Sequence, residues 1–159
     1  MKLLCLSVAL LALACGPIQH PTPSGLVVYY APNERRLPAE KAAELDARHA
    51  ALLECLPPEA FCRTEPPTFA IDDESPCDDR FEDPWGGGSL RGLTYLNGTR
   101  RIILPRSLGA AAHEMAHYYT CQGHGSSREE YLTLWPSKCG DAIDSWFRKM
   151  YPPPKCEAT

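Results

Sequence analysis

The sequence predicts a small α+β domain. Short apolar runs rich in β-branched and aromatic residues alternate with longer runs of helix-forming residues, and these two patterns are typical of strands and helices. The chain has 159 residues, a length that fits one domain better than two. Sixteen prolines and eleven glycines indicate irregular loops between the elements.

The first two predicted elements are a strand and a helix. Residues 26–31 (L-V-V-Y-Y-A) form an apolar run between Gly25 and Pro32, and this composition predicts the first strand. Residues 38–56 contain helix formers throughout, with a proline in the first turn and Pro57-Pro58 as the stop. We expect this helix to back the sheet.

A second strand, a hairpin and two further helices follow. Residues 68–72 (T-F-A-I-D) predict the second strand, and residues 90–96 and 99–104 flank Asn97-Gly98, a strong hairpin signal. Helix-compatible sequence resumes near residue 107 or 109, and a last helix is predicted for residues 140–150. In the first of these helices, apolar residues at three- and four-residue intervals predict the core face: Leu108, Ala112, Met115 and Tyr119.

The most informative feature is the sequence H-E-M-A-H at residues 113–117. Residues four apart lie on the same face of a helix, about 6 Å apart, so His113 and His117 are placed to bind one Zn²⁺. Zinc lowers the pKa of a bound water towards neutrality, and Glu114 is the candidate general base for that water. The pattern predicts a hydrolytic zinc site, with a chance match as the alternative.

The motif and the order of elements before it resemble the zincin metallopeptidases, of metzincin or gluzincin type. The resemblance implies a zincin-like fold: a mixed, twisted sheet with a backing helix and an active-site helix that carries the motif. It also implies a Zn²⁺ cofactor and a peptide or protein substrate, hydrolysed by a metal-activated water with Glu114 as general base.

The third zinc ligand is left open by the sequence. His124 is the first candidate, although its spacing is one residue longer than in the metzincin pattern. In a continuous helix His124 would lie about 16 Å along the axis from His113, so the helix must end within about a turn of His117. Gly123 is suited to end it. The resemblance offers four acidic alternatives: Glu129, Glu130, Asp141 and Asp144.

The first fifteen residues resemble a bacterial lipoprotein signal peptide. One lysine precedes an apolar run that is too short to span a bilayer, and small residues precede Cys15. The resemblance implies a signal peptide at residues 1–14, a lipidated Cys15 in a proline-rich tether at residues 15–25, and a domain at residues 26–159. The protein is then exported and lipid-anchored in the cell envelope, on the outer membrane. Cleavage without lipidation is the alternative.

The charge of the chain argues against nucleic-acid partners. The formal net charge is −4, and removal of Lys2 with the leader makes it −5, which is too acidic for a nucleic-acid binder. We expect contact with the membrane through the lipid anchor only. The sequence does not indicate an oligomeric state.

Six cysteines remain after Cys5 in the leader and Cys15 at the anchor. They are Cys55, Cys62, Cys77, Cys121, Cys139 and Cys156. An exported domain folds in an oxidising compartment, so an even number of cysteines predicts three disulfides. Fifteen pairings are possible; we suggest Cys55 with Cys62 and Cys121 with Cys139.

Two other functions are compatible with the sequence. One is a zinc-binding module on the same fold that performs no chemistry. The other is a metal-free envelope interaction domain held by disulfides.

Overall fold

The computed structural model describes residues 18–30, 36–72, 81–82, 89–90, 92–94, 100–123 and 135–152. These residues form a small α+β domain with a mixed five-stranded sheet and three helices, which confirms the predicted fold class. The strands are β1 (Ile18–Pro21), β2 (Val27–Tyr30), β3 (Thr68–Asp72), β4 (Phe81–Glu82), β5 (Ser89–Leu90), β6 (Leu93–Thr94) and β7 (Arg101–Pro105). The helices are α1 (Ala39–Cys55), α2 (Ala111–Thr120) and α3 (Trp135–Met150), with a 3₁₀ turn at Pro58–Ala60.

The main sheet has the strand order β1-β2-β3-β7-β6. Strand β3 lies at its centre and runs parallel to β2 and β7, whereas the two outer pairs are antiparallel. Alternate residues of the central strands are fully buried, as in Phe69 of β3 and its partner Ile102 of β7. The β-branched and aromatic composition of these runs therefore supplies the core face of the sheet.

The predicted hairpin is present, but its first strand is divided. Leu93 and Thr94 pair with Ile103 and Ile102 of β7, while β5 pairs with β4 in a separate two-stranded sheet. The predicted Asn97-Gly98 turn lies outside the described residues.

Part of the predicted tether is a strand. Ile18–Pro21 pairs antiparallel with β2, so the fold extends to the N-terminal side of residue 26, where we predicted its start. The proline-rich composition of residues 15–25 led us to predict a tether. An edge strand, however, bonds a neighbour on one side only and therefore tolerates a residue such as Pro21. The turn after it is held by hydrogen bonds from Thr22 N–H to Leu26 O (2.7 Å) and from Gly25 N–H to Thr22 O (2.9 Å).

Helix α2 lies in the interior of the domain. It contacts both other helices and strands β6 and β7, and all ten of its residues are buried. All four residues of the predicted core face are buried, but Leu108 precedes the helix and has a left-handed backbone with φ 58°. The opposite face, which carries His113 and His117, is buried as well, because α3 packs against it.

The two described disulfides join the elements in a different way from the one we suggested. The bonds are Cys55–Cys139 and Cys62–Cys121, with Cα–Cα distances of 6.2 Å and 6.0 Å. The suggestion was wrong because it joined cysteines that are near in sequence, whereas packing of α1 on α3 brings Cys55 to Cys139. Cys77 and Cys156 lie outside the described residues.

None of the described helices is long and apolar enough to cross a membrane. The predicted signal peptide and Cys15 lie outside the described residues.

Candidate metal centre

The start of α2 is held by a side chain of α3. Ala110, at the N-terminal boundary of α2, has no side chain that caps the helix. Instead Asp144 accepts hydrogen bonds from the first turn, with Ala112 N–H 3.1 Å from Oδ1 and His113 N–H 2.9 Å from Oδ2. These bonds satisfy two backbone donors that a helix start would leave without partners.

Asp144 is itself part of a buried ionic network. Its Oδ1 bonds Nη1 of Arg48, whose Nε and Nη2 lie 3.1 Å and 2.6 Å from Oε1 of Glu44. The side chains of Arg48 and Asp144 are each 1% exposed. Burial raises the pKa of Asp144, although Arg48 and the two backbone N–H groups act in the opposite direction. The network fixes α1, α2 and α3 relative to one another.

The imidazole rings of His113 and His117 converge on one point. Their Nε2 atoms are 3.0 Å apart, and the two residues are 8% and 5% exposed. Two nitrogens about 2.0–2.1 Å from one tetrahedral zinc ion lie about 3.3 Å apart, so the observed spacing is slightly shorter than that of two zinc ligands. The two ring nitrogens are close enough to bind one metal ion, and equally close enough for a hydrogen bond between the rings.

The outer nitrogens of both rings have hydrogen-bond acceptors. His113 Nδ1 lies 2.8 Å from Oδ1 of Asp141, and His117 Nδ1 lies 2.5 Å from the backbone oxygen of Gln122. A carbonyl and an ionised carboxylate only accept, so each Nδ1 carries the proton. In the neutral rings both Nε2 lone pairs then face each other across 3.0 Å. Such an arrangement is favourable only with a cation between them, either a metal ion or a proton.

Helix α2 ends soon after His117. The last helical residue is Thr120, and Cys121 takes the left-handed conformation with φ 55°. We expected an end in this region, but we assigned the left-handed residue to Gly123. The early turn directs the Gln122 carbonyl back to His117.

The candidates for a third ligand are placed as follows. His124, Glu129 and Glu130 lie outside the described residues. Asp141 bonds the outer nitrogen of His113, and Asp144 bonds the backbone. Among the parts of the chain that the structure describes, no group of three or more His, Cys, Asp or Glu side chains is arranged to bind a metal.

Glu114 is buried beside the edge of the sheet. Oγ1 of Thr94 lies 2.7 Å from its Oε2 and 2.8 Å from its backbone oxygen. Burial raises the pKa of Glu114, while the hydrogen bond from Thr94 and the nearby His113 act to lower it. A β-carbon on Gly92 would lie 2.8 Å from Oε1, so glycine is required there for the carboxylate to keep its position.

Five of these residues had no role in the sequence analysis: Thr94, Gly92, Gln122, Arg48 and Glu44. The hairpin signal located the strand that carries Thr94, but nothing in the sequence marked that residue. Gln122 acts through its backbone carbonyl, which leaves no signal in the residue type.

No family model, curated protein or solved structure matched the chain.

Proposed function

We propose that this protein is a zinc-dependent peptidase of zincin type. The observation that carries the proposal is the 3.0 Å separation of the His113 and His117 Nε2 atoms, with both outer nitrogens bonded to acceptors. In this proposal the two histidines bind Zn²⁺ and His124 completes the ligand set. Alternatives for the third ligand are Glu129 and Glu130.

The chemistry of the donors fits zinc. Neutral imidazoles suit zinc and other late transition metals, and a catalytic zinc site uses three protein ligands and one open position. When bound, zinc lowers the pKa of a coordinated water to about 7 and polarises the substrate carbonyl. Hydrogen bonds donated by the outer ring nitrogens fix the orientation of such ligands and increase their basicity. Asp141 and Gln122 fill this role for His113 and His117.

Glu114 is the proton carrier of the proposed reaction. Its carboxylate takes a proton from the water that attacks the peptide carbonyl and then donates it to the leaving amine nitrogen. A pKa raised by burial brings the carboxyl closer to the range in which it can do both. Thr94 holds Oε2, which keeps the carboxylate oriented in both steps.

The test compares Glu114→Gln with Glu54→Gln, a change of an exposed glutamate on α1. Each purified protein is analysed for zinc and incubated with a peptide library whose cleavage is followed by mass spectrometry. We expect Glu114→Gln to retain zinc and lose about 10²- to 10⁴-fold in rate, and Glu54→Gln to match the wild type. Unchanged hydrolysis by Glu114→Gln would refute the proposed mechanism.

The same experiment separates the other two functions. Zinc in the wild type without hydrolysis of any peptide would indicate a zinc-binding module. Absence of zinc, with a melting temperature that does not respond to chelators, would indicate a metal-free domain, in which a shared proton lies between the two rings.

We also propose that the protein is exported and anchored through Cys15. Disulfides persist in oxidising compartments, and two are present in the described residues. Mass spectrometry of the N-terminal peptide of the mature protein tests the anchor. We expect an acylated Cys15, and release from the membrane in Cys15→Ser; an unmodified N-terminus would contradict the proposal.

A further inference from the structure

We infer that the two disulfides are positioning cross-links of the metal centre and that each acts on one of the two histidines. Cys62–Cys121 holds the acceptor of His117, and Cys55–Cys139 holds the acceptor of His113. The inference rests on the proposed function, because it assigns the disulfides a role in metal binding. The two hydrogen bonds that it concerns are present without a metal and can be measured in the metal-free protein.

On the His117 side, the cross-link fixes the turn that ends α2. Cys121 is the left-handed residue of this turn, and the next residue, Gln122, supplies the carbonyl that accepts the His117 Nδ1 proton. The other cysteine lies in a segment docked on the same helix end, where Cys62 N–H donates to Tyr119 O at 2.8 Å. The disulfide therefore ties both sides of the turn together, one residue from the acceptor.

On the His113 side, the cross-link fixes the approach of α3 to α2. Cys139 is bonded to Cys55 at the end of α1. The next residue, Gly140, lies so close to α2 that a β-carbon there would be 2.6 Å from the Cα of His113. Asp141 follows and places its Oδ1 on the outer nitrogen of the same histidine.

Both hydrogen bonds are only partly buried. Gln122 is exposed, and the Asp141 side chain is 50% exposed. A hydrogen bond at an exposed position is weak unless its partners are already fixed by other forces. The cross-links close chain segments of 59 and 84 residues, and they fix the backbone within two residues of each acceptor. Covalent restraint thus adds to the order that the buried Arg48–Asp144 ion pair gives to α3.

The test reads which ring nitrogens of each histidine are protonated, by long-range ¹H–¹⁵N spectra of the metal-free protein. In the wild type we expect both Nδ1 atoms to be protonated and the two Nε2 atoms to share one proton in place of the metal. In Cys62→Ala/Cys121→Ala we expect His117 to show the averaged shifts of an unrestrained ring while His113 stays fixed. Cys55→Ala/Cys139→Ala should give the opposite result.

Two controls separate positioning from general loss of stability. Asp141→Ala removes the acceptor and leaves both disulfides, so it should release His113 alone. Val28→Ala destabilises the core at β2, away from α2, and should leave both tautomers fixed. If a cysteine variant does not fold, stepwise reduction of the folded wild type with dithiothreitol replaces it, with alkylation and mass spectrometry to identify which bond is lost.

Zinc affinity is the second readout. Loss of either cross-link should weaken binding by about 10- to 100-fold, as loss of the outer partners of metal-bound histidines does. Tautomers that stay fixed after both bonds are removed would overturn the inference, as would simultaneous release of both rings by either single bond. A wild type with fixed tautomers that binds no zinc would refute the proposed function and leave the inference on positioning intact.

Discussion

Replacement of Asp144 by alanine is expected to destabilise the fold by about 3–5 kcal/mol, the usual cost of breaking a buried ion pair. The substitution leaves the Arg48 guanidinium, whose side chain is 1% exposed, with Glu44 as its one carboxylate partner among the described residues. It also removes the acceptor of two backbone N–H groups at the start of α2, each worth about 1–3 kcal/mol when buried without a partner. Both losses come from the same carboxylate and are not additive, so we expect a total destabilisation at the upper end of about 3–5 kcal/mol.

Urea unfolding of the oxidised protein measures this loss, and Asp141→Ala is the matched control. Both aspartates lie on α3 and bond His113, but the side chain of Asp141 is half exposed. Asp141→Ala should cost less than about 1 kcal/mol in stability while it weakens zinc binding by about 10- to 100-fold. Equal stability losses in the two variants would refute the division of roles between these carboxylates. A loss below about 1 kcal/mol in Asp144→Ala would refute the role of the network.

Four further outcomes are expected. Gly140→Ala places a β-carbon 2.6 Å from the His113 Cα and should lower both the melting temperature and the zinc affinity; an unchanged affinity would contradict the close approach of α3. Gly92→Ala places a β-carbon 2.8 Å from Glu114 Oε1. It should reduce peptide hydrolysis by about 100-fold and leave the zinc content unchanged. Thr94→Val removes a hydrogen bond that lowers the Glu114 pKa; because that pKa then rises, the acid limb of the kcat/KM profile should move to higher pH, and a shift to lower pH would contradict this. Zinc at about 100 times its Kd should raise the stability of the chelator-treated protein by about 2.7 kcal/mol, measured by thermal unfolding.

Local patterns predicted the regular elements well. The apolar runs before and after α1 became β2 and β3, and the prolines that flank residues 39–55 mark the bounds of α1. These signals succeed because strand and helix preference depends on residues that are near in sequence. Strand β1 escaped prediction because its stability comes from pairing with β2, which the composition of residues 18–21 does not show.

The motif predicted the two histidines and their spacing, but not what surrounds them. Asp141 and Asp144 appeared in the sequence as possible metal ligands, and only the packing of α3 on α2 gives them their contacts with His113. The disulfide pairing has the same limit, because Cys55 and Cys139 meet only after α1 and α3 have packed. Contacts between residues distant in sequence leave no periodicity to detect.

The metal content of the purified protein tests the central claim most directly. We expect one zinc per chain by plasma mass spectrometry after dialysis, and none in a His113→Ala/His117→Ala variant that remains folded. A folded wild-type protein that takes up no metal from excess zinc would contradict the claim that these two rings share an ion.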